Sequence, residues 1–127
     1  MASKTVIQPK DAPAAVGPYN HAVRTADLLF CSGQIPLDPA TGELVAGTIQ
    51  TQTERVLRNI QLILEDQGLS FVDVVKTTVY LTNLEDFPRM NEVYAGFFKG
   101  DFPARSTVQV AGLPKGANVE IEVIAQF

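Results

Sequence analysis

The chain has 127 residues, of which 46% are hydrophobic, and it carries a net charge of −4 with one cysteine and one histidine. A chain of this length is typical of one domain with its own core, so we predict a single domain over residues 1–127. The acidic balance disfavours a nucleic-acid binder, the single cysteine excludes an intrachain disulfide, and one cysteine with one histidine cannot form the usual zinc site.

The sequence offers no segment for a membrane. No apolar run approaches the length of a transmembrane helix. The start of the chain, MASKTVIQPK, lacks the apolar core of a secretory signal. We therefore expect a cytoplasmic protein that does not associate with membranes.

The first half of the chain predicts three strands followed by a helix. Short apolar or β-branched runs bounded by turn residues predict strands at Thr5–Ile7, His21–Thr25 and Leu28–Gly33 and a loop at 36–43. From Thr48 to Gln67 the apolar residues recur at helical spacing, which predicts an amphipathic helix with one face inward. Thr48 is the expected N-cap of this helix and Gly68 its expected C′ residue.

The second half predicts three more strands and a second helix. They are the strand Val74–Leu81, a helix with Pro88 in its first turn, a strand within Phe102–Ala111 and the strand Val119–Gln126. Met90, Tyr94 and Phe97 share one side of the second helix and are expected to face the core. This order predicts an α+β fold with a mixed six-stranded sheet and both helices packed on one face.

The other face of such a sheet lacks helices to cover it. Several strands present mixed faces, and Thr77, Val79 and Leu81 form one such row. A half-apolar sheet face without helices often finds cover in another copy of the chain, so we expect a homo-oligomer.

Arg105 stands at the mouth of a predicted strand, in FPARSTVQV, behind Pro103. One interpretation is a solvated arginine at a strand end. The other is a carboxylate clamp, because a guanidinium offers parallel N–H donors that match the two oxygens of a carboxylate. Pro103 would then restrict the backbone just before the clamp and help to orient it.

Glu120 and Glu122 alternate with apolar residues in VEIEVIA and therefore share one strand face. A solvated strand face is the simpler interpretation, and we prefer it for Glu122. Either carboxylate could instead orient a water and accept its proton. In a simple hairpin of the last two strands, Arg105 and Glu120 would lie roughly 15 Å apart. A shared site therefore requires another strand order or a second chain.

The remaining polar residues give weaker signals. Gly33, after Ser32, permits a close backbone approach or simply ends a strand. Tyr19 could supply a hydroxyl to a pocket or only pack, and Asn91 is expected to be solvated on the second helix. Cys31 is best explained as a small core residue.

Four spaced blocks carry a family resemblance. They are GPYNHAV, SGQIPLDPATGE, VVKTTVYL and PARSTVQVAGLPKGANVEIE. These blocks resemble the RidA/YjgF family of enamine/imine deaminases, and the match runs from about Pro13 to Ala125.

The resemblance implies a chorismate-mutase-like fold and a homotrimer with clefts between its subunits. In the family an arginine grips the substrate carboxylate and a glutamate positions water, and these residues correspond to Arg105 and Glu120. Position 107 is cysteine in many members and threonine here, and the resemblance implies that mainly its backbone groups are used. The implied substrate-binding residues are Tyr19, Ser32, Gly33, Asn91 and Thr107.

The implied activity is that of a 2-iminobutanoate/2-iminopropanoate deaminase. The substrates would be 2-aminoacrylate and 2-aminocrotonate, hydrolysed through their imine tautomers to 2-oxo acids and ammonia without metal or cofactor. The partners would thus be small imino or 2-oxo acids and other copies of the chain. The alternative is a non-catalytic trimer that binds 2-oxo acids or acts as a chaperone. A ribonuclease-like role is disfavoured by the acidic balance.

Overall fold

Alternation of apolar and polar residues produces one mixed sheet, which we describe from a computed structural model of residues 3–127. The strands are β1 (Lys4–Ile7), β2 (Ala22–Thr25), β3 (Leu28–Gln34), β4 (Val74–Leu81), β5 (Ala104–Gln109) and β6 (Val119–Gln126), and the helices are α1 (Ile49–Asp66) and α2 (Phe87–Phe98). The predicted α+β arrangement of six strands and two helices is therefore confirmed. Short 3₁₀ segments at 71–73, 84–86 and 114–116 were not predicted.

The strand order is β1-β2-β3-β6-β4-β5, so the last strand lies inside the sheet. Among the strand pairs of residues 3–127, only β4–β5 is parallel, and α2 makes the crossover between these two strands. The simple hairpin considered for β5 and β6 does not form, because β4 lies between them. The strand order therefore differs from that of the simple hairpin.

Helix α1 has both of its predicted ends. The Thr48 hydroxyl accepts a hydrogen bond from the Thr51 amide at 3.2 Å, and Gly68 takes a positive φ of 73° just after the helix. The inward face is fully buried, whereas Glu54 and Glu65 are exposed on the outer face. In residues 3–127 neither helix is long and apolar enough to cross a bilayer.

Helix α2 starts with Pro88 in its first turn, where the missing N–H is tolerated. Met90 and Tyr94 face inward as predicted. Phe98 is buried as well, whereas Phe97 packs at the margin of the core and stays partly exposed. The two helices and one sheet face share a single hydrophobic core.

The helix-covered face and the open face of the sheet follow from the strand register. Thr77, Val79 and Leu81 are fully buried under the helices, so it was wrong to assign this row to an uncovered face. The open face carries the alternate residues of β4, of which Thr78 pairs with Glu122 and Tyr80 with Glu120. The large apolar residues that remain exposed on this face include Val6, Leu28, Phe30 and Val108, at 50%, 37%, 41% and 43%.

Candidate active site

The predicted site residues fall into two groups on opposite faces of the sheet. Arg105 pairs in register with Thr77, which is buried on the helix-covered face. Glu120 pairs with Tyr80 on the open face. Because paired residues share a face and successive residues alternate, Arg105 and Glu120 point to different sides.

Arg105 is held by side chains of α2. Its Nη1 donates a hydrogen bond to Asn91 Oδ1 at 2.8 Å. Its guanidinium carbon lies 4.7 Å from the ring centroid of Tyr94 and 5.3 Å from that of Phe87. These contacts fix the plane of the guanidinium through an amide acceptor and two ring faces. Asn91 is half-buried here, so the expectation of a solvated Asn91 is wrong.

A cavity of about 420 Å³ opens at this arginine. Asn91, Tyr94, Phe102 and Pro103 line it together with Arg105. Within residues 3–127 no carboxylate lies within 4.0 Å of Arg105, since the one ion pair of that part of the chain joins Arg89 and Asp86. A half-buried guanidinium without a counter-ion suits an anionic ligand of matching planar shape.

Tyr94 and Phe87 are contributors to this site that the sequence did not reveal. The Tyr94 hydroxyl hydrogen-bonds the Thr77 hydroxyl at 2.7 Å, and burial raises the pKa of Tyr94, so it stays neutral. The signal was present in the spacing, because residues 87, 91 and 94 fall on one face of a helix.

Thr107 follows Arg105 by two residues and is therefore on the same side of β5. Its Oγ1 is buried, and no hydrogen-bond partner for it occurs in the described part of the chain. The predicted role of Thr107 through its backbone stays a prediction.

The second group is built where β3 meets β6. The β3–β6 ladder shifts register between Cys31 and Gln34, and Gly33 lies inside this irregularity. A Cβ atom placed on Gly33 would stand only 2.3 Å from Oε2 of Glu120. Gly33 thus makes room for the carboxylate, and of the two interpretations of this glycine the close approach is correct.

Ser32 ties this group to the loop that contains Tyr19. Its hydroxyl donates to the Asn20 carbonyl at 2.6 Å, and its amide donates to the His21 carbonyl at 2.9 Å. Tyr19 is 41% exposed, and its hydroxyl accepts a hydrogen bond from the Val16 amide at 3.3 Å. The structure therefore brings Ser32, Gly33 and Glu120 together, with Tyr19 on the adjoining loop.

Glu120 is half-buried in a setting that favours its protonated form. Burial is the main cause that raises the pKa of Glu120 above its ordinary value, and the negative charge of Glu122 adds to it. Glu122 is two residues along on the same face and accepts a hydrogen bond from the Tyr80 hydroxyl at 2.9 Å. A carboxylate with increased proton affinity is suited to act as a general base.

The two groups cannot meet in one chain. Glu120 and Arg105 flank β4 at positions three residues apart, which places their Cα atoms roughly 14 Å apart for usual strand spacings. Since they also point to opposite faces, a small ligand could touch both only if a second chain contributes one of them.

Two other features do not add to the site. A larger groove of about 560 Å³ lies between α1 and α2, but it holds none of the predicted site residues, and its Arg58 already contacts Gln61 at 3.0 Å. In residues 3–127 no three His, Cys, Asp or Glu side chains are placed to hold a metal ion. Cys31 is buried as predicted, and burial raises the pKa of its thiol to about 12.

Replacing Gly33 with alanine tests whether the space at Gly33 positions the Glu120 carboxylate, an arrangement we call the carboxylate cradle. The new methyl group would displace Glu120, and a misplacement of about 1 Å in a catalytic group can lower a rate by roughly 100-fold. We expect kcat/KM for any Glu120-dependent activity to fall by between about tenfold and 100-fold. The circular dichroism spectrum should match that of the wild type, because the fold is retained. Gly112→Ala is the matched control, because nothing lies within 4 Å of a Cβ there. Equal activity of both variants would contradict the cradle.

Comparisons with known proteins agree on one family. The family model for Endoribonuclease L-PSP matches residues 9–127. A human protein named 2-iminobutanoate/2-iminopropanoate deaminase is 45% identical over 122 residues, which cover 96% of this chain and 89% of the human protein.

Solved structures agree with the sequence relatives. The Rid family protein YyfA from Yersinia pestis has a TM-score of 0.95 at 50% identity, and the match covers 98% of this chain and 100% of that chain. TdcF from E. coli, solved with bound serine, has a TM-score of 0.92 at 44% identity and covers 97% of this chain and 98% of its own. The arrangement of six strands and two helices is thus that of the Rid structures.

Proposed function

This chain belongs to the Endoribonuclease L-PSP family, also called the YjgF/RidA family, and on that premise we propose that it is a hydrolytic deaminase of reactive imino acids. Its substrates would be 2-aminoacrylate and 2-aminocrotonate in their imine forms. The products would be pyruvate or 2-oxobutanoate together with ammonia.

The observation that carries this proposal is Arg105 in its cavity. A guanidinium oriented by Asn91 and two aromatic rings, without a carboxylate neighbour in the described residues, is suited to hold the carboxylate of a small organic acid. The human relative named as an imine deaminase and the serine bound to E. coli TdcF support a ligand of this class.

We propose further that the protein is a homotrimer of the chorismate-mutase-like type, with each active site in a cleft between two subunits. The separation of Arg105 from Glu120 supports this, because a second chain would have to bring the two groups together. The exposed Val6, Phe30 and Val108 on the open sheet face support it too, since they offer apolar surface to a neighbouring copy.

The proposed reaction uses the two groups in different roles. Arg105 holds the substrate carboxylate, which fixes the position of the imine carbon. Glu120 orients a water and takes its proton as the oxygen attacks the carbon of the protonated imine, and the product of this step is a neutral carbinolamine. Glu120 returns that proton to the nitrogen, the carbon–nitrogen bond breaks as the carbinolamine hydroxyl gives its proton to Glu120, and ammonia leaves with the 2-oxo acid and carries this last proton away as ammonium. The raised pKa of Glu120 favours the first proton transfer.

The family description also names an endoribonuclease. The net charge of −4 argues against RNA as the substrate, because a protein that binds a phosphate backbone needs a basic surface. We therefore propose small imino acids rather than RNA.

A coupled assay tests the proposed activity. A pyridoxal-phosphate-dependent threonine dehydratase would generate 2-aminocrotonate, and semicarbazide would compete for its imine. We expect the wild-type protein to lower semicarbazone formation catalytically, so that the amount of imine hydrolysed is well above the amount of protein added. Saturable binding of 2-oxobutanoate without turnover would instead support the non-catalytic trimer and overturn the deaminase.

A further inference from the structure

Tyr80 and Glu122 form a hydrogen-bonded pair on the open sheet face beside Glu120, and the proposed reaction uses neither of them. In the register of β4 and β6, Tyr80 lies directly opposite Glu120, and Thr78 lies opposite Glu122. Tyr80 nevertheless donates its hydroxyl diagonally to Glu122 Oε1, at 2.9 Å, and not to its direct partner. Within residues 3–127, Glu120 receives no side-chain hydrogen bond in this arrangement.

This choice of acceptor gives the two carboxylates different properties. The hydrogen bond from the Tyr80 hydroxyl fixes the position of the Glu122 carboxylate. Glu120 lies against Gly33 without such a donor, so in the described residues no side-chain hydrogen bond occupies the oxygens of its carboxylate. The Glu122 carboxylate is therefore held in place, whereas the Glu120 carboxylate remains available to accept a proton.

Few other charged groups face Glu120. The β3 side offers only Ser32 and Gly33, which carry no charge. On β4 the nearest cation is Lys76, which lies opposite Ile124 and donates to Ser106 on β5 at 3.2 Å. The open side of β5 adds no further titratable group. In the proposed trimer the neighbouring copy would add its Arg105, whose positive charge acts in the opposite direction to Glu122.

We propose that Tyr80 and Glu122 form a positioning pair that holds a fixed negative charge beside Glu120 and thereby prepares Glu120 to accept a proton from the attacking water. This inference rests on the proposed deaminase function and assigns roles to two residues outside the Arg105 and Gly33 groups. Neither residue touches the reacting atoms; both act through Glu120.

The first experiment compares pH–rate profiles of wild type and Glu122→Gln. Removal of the like charge lowers the pKa of Glu120, so the acid limb of kcat/KM moves to lower pH. Because Glu120 then becomes a weaker base, the plateau of kcat falls, while KM stays near the wild-type value. Glu65→Gln removes one charge from an exposed position on α1 and is the matched control, expected to leave the profile unchanged.

Tyr80→Phe provides a second, milder test that keeps the Glu122 charge. Without the hydroxyl, the Glu122 carboxylate loses the hydrogen bond that fixes it beside Glu120, so its charge acts less strongly on Glu120 and the acid limb moves in the same direction by a smaller amount. A limb that stays at the wild-type pH in both folded variants would overturn the inference. Should Glu122→Gln fail to fold, Tyr80→Phe alone decides the outcome.

A measurement without turnover separates this inference from the proposed function. The ¹³C chemical shift of the Glu120 carboxyl carbon, followed against pH in the intact protein, gives its titration midpoint directly. We expect the midpoint to fall in Glu122→Gln and to fall less in Tyr80→Phe. If the wild type shows no deaminase activity but the midpoints move, the proposed function fails and the charge coupling stands. If the wild type is active and the midpoints do not move, only the positioning pair fails.

Discussion

Replacing Arg105 with alanine is expected to lower kcat/KM for 2-iminobutanoate hydrolysis by roughly 10- to 150-fold. The range follows from the loss of charge-assisted hydrogen bonds to the substrate carboxylate, which contribute about 1.5–3 kcal/mol. Most of the effect should be in KM, because the clamp binds the carboxylate in ground state and transition state alike. The coupled dehydratase assay, run over a range of imine concentrations, measures both constants.

Two further variants separate the effects of the Arg105 side-chain geometry and charge from a general loss of stability. Arg105→Lys keeps the charge but loses the planar fork, so its activity should lie between wild type and Arg105→Ala. Arg89→Ala is the matched control, since Arg89 is 52% exposed and its 2.6 Å contact with Asp86 is a surface ion pair. Wild-type-like deamination by a folded Arg105→Ala protein would remove the basis of the proposed function.

Replacing Glu120 with glutamine is expected to lower kcat by about 10²- to 10⁴-fold, the usual contribution of a general base. Glutamine has nearly the same shape and fits the space beside Gly33, so KM should change little. Single-turnover measurements with excess enzyme report the chemical step directly and check that kcat, rather than product release, has changed. A kcat within about threefold of wild type would exclude Glu120 as the base.

The same variant has a stability signature with a definite sign. Burial, and then Glu122, raise the pKa of Glu120, so the stability that Glu120 contributes is present below its unfolded pKa and is lost as pH rises through the folded pKa. Glutamine cannot ionise and avoids this loss. The variant should therefore melt no lower than wild type at neutral pH, which distinguishes a lost base from a damaged fold.

Local patterns were sufficient to predict the elements of the fold. Alternation in VEIEV and the apolar residues after it predicted β6 with its observed bounds, and Thr48 capped α1 as expected. Alternation does not encode which strands are neighbours, because pairing depends on contacts between distant parts of the chain. For this reason the sequence could not place β6 between β3 and β4 or tell which face the helices cover.

The site was predictable as residues but not as an arrangement. Arg105 and Asn91 belong to separate predicted elements, and only the α2 crossover reveals that their side chains meet. Gly33 looked like a strand end, because the clash of an added Cβ with Glu120 depends on a register shift that no local pattern records. Tyr80 gave no signal at all, since its partner Glu122 lies 42 positions away.

The interior position of β6 has a consequence for the order of events during synthesis. β6, which lies between β3 and β4, is the last of the six strands to be synthesised, so β3 and β4 emerge as two unpaired edges. Such edges are templates for pairing with other chains. Sheet closure, and with it the placement of Gly33 against Glu120, therefore waits for β6, and until then both edges are open to pairing with other chains.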